Sequence, residues 1–285
     1  MEKSKIKVAY LGPEGTFTER AAREMFHDAD YVPLAHIRKV VLAVENGETD
    51  FGVVPFENYH KLKVVHTLDA LTQYASRAKI IMEKALSIMH CFGALANHGE
   101  IKRVFLKDQA IDQCDSYLTD NYPLADTVEV SSTGEGAARI VRENLLDAAA
   151  IASEGALRNS GLQILAKDIC PNNLTNFIAL GRLSTLPTGD DKTFVSIYPT
   201  RDEPGILCSC LEFPKAYKLN LEDITPRRDN LSRYCFYTEL DGHERDPVVQ
   251  RVIADIRFFL DRKNEFPDAV KIFGSYPNTH WRELK

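Results

Sequence analysis

From Ile6 onward the chain repeats one unit: a short apolar run, a turn of glycine or small polar residues, then a helical pattern. That beat changes at Lys192. The first instance is IKVAYL followed by Gly12, Pro13 and Gly15 and then TFTERAAREMF, which reads as strand, tight turn, helix. DFGVVPFEN (50–58), IKRVFL (101–106), DTVEVSST (126–133) and AAAIASEGAL (148–157) repeat it. Strands alternating with helices imply an open α/β sheet, whose ligands sit beyond the carboxyl ends of the strands. After Lys192 the order becomes strand, helix, strand, strand, helix, strand, which is that of a ferredoxin-like βαββαβ module. The polar stretch LSTLPTGDDK precedes it. The expected organisation is a first domain over 1–182 with a second lobe at about 83–160, a linker over 183–191, and a module over 192–285.

Composition narrows the partners. A net charge of −6 argues against a broad basic face for nucleic acid, which leaves a small molecule as the expected partner. The apolar run from Val8 to Leu11 is far shorter than a signal-peptide core of roughly 7 to 15 residues, and no segment approaches the roughly 18 apolar residues of a membrane span. The expectation is a cytoplasmic protein with reduced thiols. Its cysteines (Cys91, Cys114, Cys170, Cys208, Cys210, Cys235) stand among apolar neighbours without metal-ligand spacing, and are expected to pack as small core residues. No metal or organic cofactor is implied.

Five motifs fall in one order and spacing: GPEGTFTERAA (12–22), GVVPFEN (52–58) with Thr67, Leu68 and Asp69 after it, SSTGEGAA (131–138), AAIASEGAL (149–157) and NNLTNF (172–177). In that order they resemble the catalytic domain of the prephenate dehydratases. EPGIL (203–207), LEDITPRR (221–228) and GSYP (274–277) resemble the family's ACT regulatory domain, which binds phenylalanine at a subunit interface in many members. The resemblance implies a catalytic domain of two lobes, like a type II periplasmic binding protein, with the site between them. It also implies prephenate as substrate and a homodimer or homotetramer. Prephenate carries two carboxylates, and a helix amino terminus offers free N–H groups and a positive dipole end. Thr16, Phe17 and Thr18 at one helix start, and Ser132 and Thr133 at another, are therefore expected substrate contacts. Helix capping is the plain structural alternative for the hydroxyl residues.

The resemblance makes Thr175 the expected proton donor or positioner of the donor, with Glu57, Asn58 and Phe177 beside it. Departures from the family cluster here. Asn176 stands where relatives carry arginine, removing a bidentate carboxylate partner. Tyr59, His60, Lys61 and Leu62 replace a small polar loop, and residues 106–110 read LKDQA where relatives have Ser-His-Pro-Gln-Ala. Tyr59 and His60 become candidate catalytic groups. Lys61 and Lys63 are candidate replacements for the lost charge or else solvated surface lysines, and His66 is a site group or an exposed histidine. In the ACT-like module, Gly205, Ile206, Leu207, Thr225 and Arg227 occupy the positions for an aromatic amino acid. Ile206 fills space there and Thr225 removes a carboxylate, so the module is expected to serve mainly in assembly.

These departures favour a prephenate decarboxylase that releases CO2 without aromatising the ring, as decarboxylases of specialised metabolism do. The retained Thr175 supports an ordinary dehydratase instead. A third reading is a non-catalytic sensor of an aromatic metabolite.

Overall fold

The computed structural model describes residues 5–59, 62–130, 133–171, 173–201, 203–228, 234–261 and 266–283. The first lobe contains β1 (Ile6–Leu11), α1 (Phe17–Met25), β2 (Ala29–Leu34), α2 (Ile37–Asn46), β3 (Phe51–Asn58), β4 (Leu62–Lys63), α3 (Val65–Tyr74) and β5 (Lys79–Ser87). The second lobe follows with β6 (Cys91–Ala94), β7 (Arg103–Leu106), α4 (Asp108–Asn121), β8 (Asp126–Glu129), α5 (Thr133–Arg142), β9 (Ala148–Ala152), α6 (Glu154–Asn159) and β10 (Gln163–Ala166). The chain then returns to the first sheet as β11 (Leu174–Gly181), whose strand order is β2-β1-β3-β11-β5 with β4 paired to β3. The second sheet runs β10-β6-β9-β7-β8. Its strands therefore span 91–166, against an expected lobe of about 83–160, because residues 79–87 pair in the first sheet.

The lobes are joined twice, and the two crossings lie side by side. Ile88 N–H donates to Asn173 O at 2.7 Å and Ile169 N–H to His90 O at 3.0 Å. Elsewhere the second lobe packs closely under its own helix. A Cβ at Gly136 of α5 would come within 2.8 Å of Phe105 Cβ on β7, so the glycine permits the contact.

The third unit contains β12 (Asp191–Ile197), α7 (Ile206–Ala216), β13 (Leu221–Arg228), β14 (Tyr234–Asp241), α8 (Pro247–Leu260) and β15 (Val270–Pro277). Its sheet order, β13-β14-β12-β15 with antiparallel neighbours, is the ferredoxin-like arrangement read from the sequence. Asp191, assigned to the linker, already belongs to β12. Of the cysteines, Cys208 on α7 is exposed and the other five are buried, so Cys208 departs from the core role expected of all six. Among the described residues no helix is long and apolar enough to cross a membrane.

One core joins the first lobe to the third unit. Val54, Phe56, Leu68, Leu71, Ile80 and Ile178 pack with Phe194, Tyr237, Phe273 and Tyr276, and Phe56 meets Phe194 edge-on at 4.9 Å. Charges are buried at the edge of this core. Lys63 Nζ lies 2.5 Å from Glu57 and 3.1 Å from Glu239. Lys192 Nζ lies 3.0 Å from Glu83 and 3.7 Å from Glu239. Arg282, in the short 3-10 turn Trp281–Glu283, reaches Glu57 at 2.7 Å and Glu239 at 3.0 Å, and also pairs with Glu222. Burial by itself would raise the Glu239 carboxyl, but the charges of Lys63, Lys192 and Arg282 outweigh it and hold the pKa down at about 2.

Two predictions follow from this interface. A Cβ at Gly274 of β15 would sit 2.2 Å from Ile80 O on β5, at a φ of +148°. Gly274→Ala should therefore destabilise the protein by about 2 kcal/mol or more in denaturant unfolding, since neither backbone can give way. The second concerns acid. The folded pKa of Glu239 lies below its ordinary 4.5, so its stabilisation is complete above that value and is lost as pH falls toward about 2. The loss at this site is on the order of 3 kcal/mol. Unfolding followed from pH 5 to pH 2 should show a steep decline that is visibly shallower in Glu239→Gln.

Candidate functional site

The junction between the lobes begins at the carboxyl end of β1. Thr16 caps α1: its Oγ1 accepts from Glu19 N–H at 3.3 Å and donates to Leu11 O at 3.3 Å, while Glu19 Oε2 accepts from Gly15 N–H at 2.6 Å. This variant of the capping box uses the hydroxyl proton of Thr16 internally, so Thr16 has none to give a ligand. Its expected role as a substrate contact becomes structural, and what α1 offers an anion is backbone N–H. Thr18 is buried on the inner face of the helix. Phe17 is half-buried, with its ring edge-on to that of His90 at 5.9 Å.

The second lobe closes onto the same turn. Ser153 caps α6, accepting from Ala156 N–H at 3.1 Å, and donates across the junction to Gly15 O at 2.8 Å. A Cβ at Gly134, in the first turn of α5, would lie 3.9 Å from Pro13 Cγ. The starts of α1 in the first lobe and of α5 and α6 in the second thus lie around the turn at residues 12–15, and a helix start is a favourable place for an anion. Ser132 lies outside the described residues; Thr133 opens α5.

Opposite this turn lie the ends of β3 and β11. The register pairs Thr175 with Asn58 and Asn176 with Glu57, then slips, so that Phe177 faces Pro55. The slip is a β-bulge at Phe56, and it puts Phe56 and Glu57 on the same face of the sheet. Asn58 is thereby turned to the face shared with Thr175, Phe177 and α1, and its Nδ2 lies 2.9 Å from Thr175 Oγ1, 2.8 Å from Asn173 Oδ1 and 3.2 Å from Leu174 O. Tyr59 is 46% exposed, and its N–H donates to Leu174 O at 2.9 Å. Thr175 accepts from Asn58, so its own hydrogen remains free to be donated.

The junction therefore gathers Phe17, Asn58, Tyr59 and Thr175 from the residues expected there, with His90, Asn173 and Ser153 in addition. The last three carry no motif of their own. His90 and Asn173 become legible only once the two crossings are known to be adjacent, whereas Ser153, directly before an acidic residue in SEGAL, is readable as a cap.

Several expectations are corrected. Glu57 does not face the junction, because the bulge sends its carboxylate to Lys63 and Arg282. Asn176 lies on that same far face and donates to Glu83 Oε2 at 2.8 Å, so its substrate-binding role is not borne out. Phe177, only 2% exposed, is a core residue among Val8, Tyr10, Leu86 and Ile88 rather than a ligand contact. Lys63 is neither a solvated lysine nor a replacement for a site arginine; it is buried in the interface cluster. His66 is exposed on α3. His60 and Lys61 lie outside the described residues.

In the third unit, Gly205 precedes α7 in the left-handed region, and Ile206 packs on the module's own core. Leu207 is half-buried beside it. Thr225 donates to Asp223 at 3.2 Å. Arg227 spans to both carboxylate oxygens of Asp69 on α3, at 2.7 and 2.8 Å, and so ties the module to the first lobe.

Known proteins share this fold. A family model described as prephenate dehydratase matches residues 8–185, which covers both lobes and their junction. The bifunctional chorismate mutase/prephenate dehydratase of Aquifex aeolicus is 36% identical over 285 residues, spanning 98% of this chain and 75% of its own length. The prephenate dehydratase of Lactococcus lactis is 28% identical over 280 residues, spanning 95% of this chain and 97% of its own. The solved prephenate dehydratase of Arthrobacter aurescens, in complex with L-Phe, superposes with a TM-score of 0.84 at 30% identity, over 96% of this chain and 91% of its own. With a family model matched over residues 8–185 and a relative 36% identical across 98% of this chain, the chain belongs to the prephenate dehydratase family.

Proposed function

We propose that this protein is a prephenate dehydratase, converting prephenate and a proton into phenylpyruvate, CO2 and water. The observation that carries this reading is Thr175, whose Oγ1 is 2.9 Å from the Asn58 amide on the face turned toward the lobe junction. With Asn58 donating to that oxygen, the Thr175 hydrogen is directed away from Asn58 and toward the ring hydroxyl of a bound substrate. As the proton is delivered the ring C–O bond breaks and water leaves, and Thr175 regains its proton from solvent, the proton that the overall reaction consumes. The ring carboxylate departs as CO2, its bonding pair becomes the last π bond, and aromaticity drives the step. The helix starts at α1 and α5 hold the carboxylates while this happens.

The non-aromatising decarboxylase keeps one supporting observation and loses another. Tyr59, half-exposed beside Asn58, still differs from the family's small polar loop. Asn176 no longer counts for it, because its side chain contacts Glu83 on the opposite face of the sheet. The third unit is read as an ACT-type module serving assembly, since Ile206 packs on its core and Arg227 is engaged by Asp69.

Incubation with prephenate, followed by ultraviolet absorbance and product mass together, decides the matter. Loss of CO2 and water is expected. A product lacking only CO2 would establish the decarboxylase instead, and binding without turnover would establish a sensor. Thr175→Val should lower kcat by roughly 10²- to 10⁴-fold while the protein remains folded, as judged by its thermal midpoint.

A further inference from the structure

The hairpin that carries Asn58 and Tyr59 is closed at its base by one ion pair: Glu57 and Lys63 are register partners on β3 and β4, 2.5 Å apart through Lys63 Nζ. Neither charge is satisfied by that pair alone. Lys63 goes on to Glu239 on β14, and both oxygens of Glu57 meet Arg282, Nε at 3.3 Å and Nη2 at 2.7 Å. Arg282 is anchored in turn by Glu239 and Glu222, and by the buried Trp281 before it. Three residues earlier, Thr279 donates through its N–H and its hydroxyl to Glu83 Oε1, at 3.0 and 2.8 Å. Glu83 is the carboxylate that holds Asn176, the residue next to Thr175. The segment 279–282 thus touches the neighbour of Asn58 and the partner of the neighbour of Thr175.

We propose that this carboxyl-terminal segment is a strap that sets the geometry of the site, with Arg282 as a positioning residue. It acts through Glu57 to hold Asn58 and the Tyr59 hairpin against Thr175. The proposal rests on the dehydratase reading for its kinetic test. The planar guanidinium suits the task because it grips both oxygens of Glu57 and binds Glu239 with its remaining nitrogen, which a lysine ammonium on a flexible stem cannot do.

The test uses the full chain with Arg282→Lys, which retains the charge, and Arg282→Met. Arg103→Lys serves as a control that exchanges a guanidinium paired with Asp147 in the second lobe, away from the hairpin. Turnover of prephenate is measured together with amide hydrogen exchange at Tyr59, whose N–H donates to Leu174 O. In Arg282→Lys, kcat should fall roughly tenfold with KM within about twofold, because orientation is lost while the anion contacts of α1 and α5 persist. Exchange at Tyr59 should accelerate while β9 in the second lobe keeps its protection, and Arg282→Met should show the larger effect. Arg103→Lys should match the parent. Parent-like kcat and exchange in Arg282→Lys would overturn the proposal. So would an equal loss of protection throughout both lobes, which would mark Arg282 as a purely structural residue. If the parent protein releases no phenylpyruvate, the dehydratase reading fails on its own. The exchange comparison then still decides the strap, for or against, since it needs no turnover.

Discussion

Glu239 has no exposed surface, and its carboxylate is charged because Lys63, Lys192 and Arg282 surround it. Together with Glu57 and Glu83 it completes a set of three buried carboxylates facing three cations. Such a set is unforgiving. Its members gain little over well-packed apolar residues of the same volume, yet removing one leaves an uncompensated charge that costs about 3 to 5 kcal/mol. The cluster therefore specifies geometry more than it adds stability. It determines that β14, β4, β5 and the carboxyl-terminal turn meet in one arrangement, and the aromatic core of Phe56, Phe194, Phe273 and Tyr276 packs beneath that arrangement.

The second constraint is the bulge at Phe56. In a regular strand Glu57 and Pro55 would share a face and Asn58 would point the other way, because side chains alternate with period 2. One extra residue reverses this for the last two positions of the strand. Glu57 joins the charge cluster and Asn58 joins Thr175, so a single backbone irregularity places one residue in the interface and its neighbour in the site. Bulges recur beside active sites because they re-aim side chains in this manner.

This explains which parts were legible in advance. Strand and helix order could be read because apolar periodicity is a local property, and the change at Lys192 marked the third unit to within one residue of β12. Thr175 and Asn58 were named because the family resemblance points to them, and the structure brings their side chains together. Glu57, Asn176 and Lys63 were assigned to the wrong face for a definite reason: a bulge has no signature in a stretch such as VPFENYHK, and a lysine between apolar residues reads as surface until its carboxylate partners, more than 170 positions away in the case of Glu239, are known. Arg282 drew no attention at all. Its role depends on the fold returning the chain end to β3, which no local pattern encodes.

The replacement of arginine by Asn176 takes on a different meaning once that face is known. Glu83 already receives Lys192 at 3.0 Å and both donors of Thr279, so its charge is compensated without a cation from position 176. A guanidinium there would have to share a buried carboxylate with Lys192, a like-charge arrangement that costs energy where the groups are buried. The amide donates one hydrogen bond to Glu83 and adds no charge, although its Oδ1 meets no partner among the described residues. The substitution is therefore tied to the presence of Lys192 and Thr279 in the interface. It does not reach the other face of β11, where Asn58 Nδ2 meets Thr175 Oγ1.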